Sequence, residues 1–264
     1  ELDLSLLRAL AERVARQAGA LLADGMDRVR AEVSTKSTGT DLVTEMDRAS
    51  EALIVAALLA ERPDDGILGE EGADEPGRSG VRWVIDPLDG TTNYVYGFPG
   101  FNVSIAAEVD GQAGVGVVFD VVRHELFSAQ RGAGATRDGA PIRASAATDL
   151  GQALVGTGFS YEPDRRRRQA AVLVEVLPRV RDIRRQGAAA LDLCSVACGR
   201  LDAYYERGLA PWDLAAGGLI AREAGAVVTD LVGDPAPVGA VVASAPGIAS
   251  DLLAVLQAAG AEHA

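Results

Sequence analysis

The chain has 264 residues, 48% hydrophobic and 24% charged, the proportions of a soluble globular protein with enough material for a large core. Acids outnumber bases 38 to 25, and the net charge of −13 argues against a nucleic-acid or anionic-membrane partner, since both call for a basic surface. The longest apolar runs, such as ALIVAALLA at 52–60, are too short to span a bilayer. No basic segment followed by an apolar one opens the chain, so no export signal is expected. Cys194 and Cys198 stand i,i+4 on one helix face with no histidine nearby, which suits buried neutral thiols rather than a zinc site. A reducing cytoplasm is the expected compartment.

Along the chain, Leu2 to Ala23 carries apolar residues at helical spacing, and STKSTGTD (34–41) is polar enough for a mobile loop or loose hairpin. Thr44 to Glu61 predicts a second helix, stopped by Pro63. GILGEEG (66–72) and VRWVIDP (81–87) predict short strands with acidic exits, separated by a turn or excursion at 73–80. From Phe101 to Ser128 the pattern is β-rich, and RGAGATRDGAPI then predicts a hairpin about Asp138-Gly139. After about residue 148 strands and helices alternate: strands at 153–157, 183–185, 201–206, 226–230 and 239–244, helices at 164–177, 188–199, 212–224 and 247–259. The expectation is an α+β half over 1–145 followed by an α/β half over 146–264. The charge run DRRRRQ (164–169) is read as a solvated helix start, His124 and His263 as surface residues, and Trp83 and Trp212 as core aromatics.

Five acids interrupt otherwise apolar or glycine-rich sequence: Asp47, expected on the first turn of its helix, Glu70, Asp86, Asp89 and Asp213. Asp86 and Asp89 flank Pro-Leu, where the proline restricts the backbone so that both carboxylates and the Leu88 carbonyl can converge. Oxygen-only donors suit a hard divalent cation, magnesium or manganese rather than zinc or copper. Two carboxylates ~4 Å apart repel by about 4 kcal/mol at a typical effective dielectric, so several cannot share a pocket with a phosphate unless cations neutralise them. Gly90-Thr91-Thr92 comes next, as a turn opening a helix and so a candidate anion site. The same Asp-Gly-Thr-Thr also suits an Asx-type turn in which Asp89 caps the helix.

GEEG (69–72), WVIDPLDGTTNYVYGFPGFNVSIA (83–106) and PWDLAAGGLIAREAGA (211–226) resemble the inositol monophosphatase family. TKSTGTDLVTEMD (35–47) and GAAALDLCSVACGRLDAYYERG (187–208) do so too, in the family's order over nearly the whole chain. The resemblance implies a layered αβαβα sandwich with the site between two halves, and two to three magnesium ions, for which manganese can substitute. Glu70, Asp86 and the Leu88 carbonyl would hold the first ion; Asp86, Asp89 and Asp213 the second; Glu70 with waters a weaker third. Thr91, polarised by Asp47, would position and help deprotonate the attacking water, with Glu70 as a further catalytic residue, and the Gly90 and Thr91 amides would bind phosphate. Glu206, Gly187 and Ala189, with Asp89 and Asp213, would contact the substrate, while Lys36 and Asp41 match positions in a loop near the third ion. Glu71 is expected on the opposite strand face as a structural residue.

The activity implied by the resemblance is magnesium-dependent, lithium-sensitive hydrolysis of inositol 1-phosphate by metal-activated water, with a small phosphorylated polyol as substrate and a homodimer as the assembly. Histidinol phosphate and fructose 1,6-bisphosphate are the alternative substrates. Thr92, where relatives for other phosphates often carry lysine, and Glu206 favour a polyol. A non-catalytic regulatory binding role is the alternative from another class.

Overall fold

The computed structural model describes residues 2–33, 39–235 and 239–264, with the side chains of 27–44 left aside. Two long helices come first, α1 (Leu4–Val33) and α2 (Gly39–Glu61). An eight-stranded sheet follows: β1 (Gly66–Gly69), β2 (Asp74–Glu75), β3 (Val81–Asp89), β4 (Asn102–Val109), β5 (Gln112–Asp120), β6 (Glu125–Gln130), β7 (Ala135–Arg137) and β8 (Ala140–Pro141), with the short helix α3 (Thr91–Tyr96) between β3 and β4. Its order is β2-β1-β3-β4-β5-β6-β7-β8, antiparallel except for the β1–β3 pair. The rest of the chain builds β9 (Leu154–Thr157), α4 (Pro163–Val176), β10 (Asp182–Arg184), α5 (Ala189–Ala197), β11 (Ala203–Arg207), α6 (Pro211–Glu223), β12 (Val227–Thr229), β13 (Ala240–Ser244) and α7 (Ala249–Ala258). These strands form a five-stranded mixed sheet in the order β10-β9-β11-β13-β12.

Period-two burial assigns the two faces of each sheet. On β3, Trp83 and Ile85 join Leu10, Val14, Ile54 and Leu58 of α1 and α2 in one core, while Val84 faces Leu193, Leu214 and Ile220 of α5 and α6 in a second. The second sheet contributes Tyr204, Val241 and Ala243 to that middle core and turns Val155, Tyr205 and Val242 toward Val172 of α4 and Leu252 of α7. The layers are therefore helix, sheet, helix, sheet, helix, as the resemblance implies. Because both faces of β3 and β4 are covered, these strands read as continuous apolar runs with no alternation.

Four expectations are corrected. α1 runs ten residues beyond Ala23, through Gly25, where a Cβ would come within 2.4 Å of Met46 Cε, so close packing and not apolar spacing explains that position. Residues 39–41, expected in a loop, open α2, and Asp47 consequently lies two turns inside the helix and not on its first turn. β1 stops at Gly69, so Glu70 and Glu71 occupy a turn and Glu71 has no strand face. Lastly, the excursion at 73–80 contains β2, paired with β1.

Candidate active site

A register shift in β3 makes the site. Asp86 pairs with Ser104 of β4 and Asp89 with Asn102, so three steps along β3 match two along β4. In a regular strand residues i and i+3 point to opposite faces; the extra residue of this bulge turns Asp86 and Asp89 to the same side. Pro87, which has no N–H to lose, sits in the bulge. The Asp86 carboxylate accepts from the Leu88 amide at 3.1 Å, and Ser50 of α2 donates to the Pro87 carbonyl at 2.9 Å. Leu88 keeps its side chain in the first core, while its carbonyl accepts from the Thr91 hydroxyl at 3.1 Å at the cavity wall.

The third aspartate comes from the far half of the chain. Asp213 is the third residue of α6 and accepts from the Ala210 amide at 2.6 Å, an N-terminal cap that fixes its carboxylate. Carboxylate oxygens of Asp86, Asp89 and Asp213 lie within 4.8 Å of one another. Glu70 joins them through a hydrogen bond with Asp86. Asp89 Oδ2 accepts from Asn102 Nδ2 at 2.8 Å and from the Ala190 amide of α5 at 3.0 Å. Asp89 does not cap α3: the N-cap is Gly90, at φ 90°, a left-handed conformation that favours glycine.

Electrostatics here are those of like charges with little to neutralise them. Burial raises the Asp86 pKa well above the usual carboxylate range, with Asp89, Glu70 and Asp213 adding to it. Asp89 is pushed up to about 7, by burial first and Asp213 next, against the two hydrogen bonds that hold it down. Asp47 rises to about 8 through burial and its neighbours Glu71, Glu70 and Glu51, and its Oδ1 is buried without a partner. Glu70 and Asp213 are also raised, mainly by burial. Among the described residues, none of Glu70, Asp86, Asp89 and Asp213 forms an ion pair. Oxygen-only donors and a crowded negative field together fit a hard divalent cation.

Glu70, Asp86, Asp89 and Asp213 line a cavity of about 340 Å³, with Gly90 and Thr91 also in its wall. Gly187, Ala189 and Glu206 line it as well, so that the candidate substrate contacts and the candidate ligands share one space. Burial raises the Glu206 pKa, opposed by the Tyr204 hydroxyl, which donates to it, and by Arg185. Thr91 directs its hydroxyl to Leu88, so in this arrangement its proton is not turned to Asp47 as the resemblance implied. Lys36 lies outside the described residues, as does the side chain of Asp41. Trp83 is core, as expected, its Nε1 donating to Asp65, but Trp212 is half-buried and lines the cavity. His124 and His263 are exposed and Cys194 is buried.

Several participants carry weaker signals in the sequence or none. Asn102 carries one, being a polar residue inside an apolar strand, and it is fully buried on Asp89. Glu51 carries another: with Asp47, Ile54 and Leu58 it keeps to the buried spacing of α2. Arg185 and Tyr161, which line the cavity, sit in unremarkable sequence.

A layered α/β sandwich with an all-oxygen acidic centre between its two sheets defines a class of protein whose site can take a divalent cation and an anionic substrate together. The chain matches the model of the inositol monophosphatase family over residues 3–262, and it belongs to that family. It is 52% identical to an inositol-1-monophosphatase of Mycobacterium leprae over 237 residues, 85% of this chain and 81% of that protein. It is 44% identical to the Nus factor SuhB of Vibrio cholerae, with 90% of each chain covered. The solved structure of Mycobacterium tuberculosis SuhB superposes with a TM-score of 0.86 at 44% identity, covering 98% of both chains. Family membership supports a phosphatase.

Proposed function

We propose that this protein is a magnesium-dependent inositol-1-monophosphatase. The observation that carries the reading is the convergence of Asp86, Asp89 and Asp213 within 4.8 Å, with Glu70 bonded to Asp86, in the cavity that Glu206 also lines. Asp86, Asp89 and Asp213 would hold one ion, and Glu70, Asp86 and the Leu88 carbonyl another, with Glu70 and waters for a third. When bound, magnesium neutralises the phosphate and lowers the pKa of water, which is most of what phosphoryl transfer requires.

The chain's own residues do the rest. Asn102 and the Ala190 amide both meet Asp89 Oδ2, which leaves Oδ1 to a cation and fixes its direction. Gly90 and Thr91 offer the phosphate subsite, while Thr91, Glu70 and Asp47 orient the attacking water and take its proton. Half-buried Glu206, with Gly187 and Ala189 beside it in the cavity wall, would meet the hydroxyls of a polyol. On this reading the half over 1–145 carries most ligands, the half over 146–264 supplies Asp213 and the substrate contacts, and two copies associate as a homodimer in the cytoplasm.

The deciding experiment is kcat/KM over a panel of inositol 1-phosphate, histidinol phosphate and fructose 1,6-bisphosphate with magnesium. Inositol 1-phosphate should lead; a higher value for histidinol phosphate overturns the specificity. Oxygen-18 from solvent should enter the phosphate, and lithium in the millimolar range should inhibit. A second reading, a regulatory role apart from hydrolysis, has one observation in its favour, the likeness to a relative named as a Nus factor. Asp89→Asn separates the two: a cellular phenotype that survives loss of phosphate release belongs to the second.

A further inference from the structure

Two neighbouring residues of α2 reach both acid-bearing strand exits. Ser50, fully buried, donates from Oγ to the Pro87 carbonyl in the middle of the Asp86–Asp89 bulge at 2.9 Å. Glu51, 7% exposed, accepts from the Glu71 amide through Oε2 at 2.9 Å and from the Ala73 amide through Oε1 at 3.1 Å. Its two oxygens thereby close the turn that presents Glu70. Gly69, at the start of that turn, lies so close that a Cβ there would stand 2.2 Å from Glu51 Oε2. Neither residue belongs to the aspartate triad, and neither lines the cavity. Burying a carboxylate on two main-chain amides inside an already negative cluster is costly, and a neutral side chain would raise less repulsion against Asp47 and Glu70.

We propose that Ser50 and Glu51 are a positioning pair that sets the Glu70 turn at a fixed distance from the Asp86–Asp89 bulge, so that metal affinity depends on them although they do not touch the metal. Because they are consecutive on a rigid helix, the turn and the bulge cannot shift independently. Glu51→Gln keeps the shape, but its amide nitrogen must face one of the two N–H donors, so the turn loses one of its two ties. The expectation rests on the proposed divalent-cation role of the acidic centre.

The test is calorimetric titration of the metal-free full chain with magnesium, alongside melting temperatures with and without the ion. Glu51→Gln should weaken magnesium binding by about tenfold or more, the range found when groups that orient metal ligands are removed. Ser50→Ala should weaken it severalfold. Gly69→Ala should reproduce the glutamine variant, by pushing Glu51 away. At saturating magnesium kcat should stay within about threefold of the parent. A purely structural role predicts lower melting temperatures with the magnesium midpoint unchanged; midpoints within about twofold of the parent overturn the proposal. Should Glu51→Gln fail to fold, Ser50→Ala decides on the same criterion. A parent chain that does not bind magnesium at all overturns the metal reading itself, and the positioning role with it, which is a different result from a parent that binds and variants that match it.

Discussion

The parallel pair β1 and β3 carries acids at both ends, and the two ends differ in everything but residue type. At the N-terminal end Asp65, 4% exposed, accepts from Arg62 Nε and Nη2 at 2.9 Å each, from Ser79 Oγ at 2.6 Å and from Trp83 Nε1 at 2.9 Å. At the C-terminal end Glu70, Asp86 and Asp89 face Asp213 and one another, with few donors and no basic partner among the described residues. A buried carboxylate given a cation and donors is a fastening; one given other carboxylates is a demand for a cation from outside the chain. Ligands of open α/β sheets gather beyond the carboxyl ends of the parallel strands, and the acidic cluster lies at that end of this parallel pair.

The comparison breaks first at Asp89. Asp89→Asn should lower kcat by two to three orders of magnitude, the scale on which one electrostatic group at a reacting centre counts, while the melting temperature of the metal-free chain holds or rises. Activity within tenfold of the parent would remove Asp89 from the centre. Magnesium in hundredfold excess over its Kd should stabilise the chain by about 2.7 kcal/mol, or roughly 5–10 °C in Tm at this size; calorimetry showing no difference from EDTA would contradict the demand for a cation. At the other end the pattern inverts. Asp65→Ala should cost about 1–3 kcal/mol, since it leaves the buried Trp83 N–H without an acceptor, yet the magnesium midpoint should stay put in the same titration.

The pH dependence sharpens the contrast more gently. Asp89 and Asp47 titrate near 7 and 8 in the metal-free fold against 3.8 in the unfolded chain, so the folded state binds more protons between those values. Stability of the metal-free chain should therefore fall as pH rises from about 4 to about 8. Magnesium, which needs the ionised forms, should widen the gap between its melting curve and that in EDTA over the same range. Melting temperatures at pH 5, 6, 7 and 8 in EDTA and in magnesium check both signs; a metal-free curve that rises with pH would refute the crowding of the acids.

Much of this is legible in the chain as written. Side-chain periodicity is a local property, and it places α4 to α7 and every strand of the second sheet to within a residue or two, though it ends α1 ten residues early and starts α2 five residues late. An acid in an apolar or glycine-rich run is equally local, which is why Glu70, Asp86, Asp89 and Asp213 stand out from residue type alone. What the chain by itself leaves undetermined is non-local. Three-residue spacing would put Asp86 and Asp89 on opposite faces of a straight strand; only the bulge against Ser104 and Asn102, a matter of register between two strands, turns them together. Asp213 arrives because α6 packs between the two sheets, and Glu51 looks like one more charge on a helix until the turn at 70–73 is folded onto it. Residue type decides which groups ask for a cation, whereas the direction and distance at which they ask are set by contacts between segments far apart in sequence.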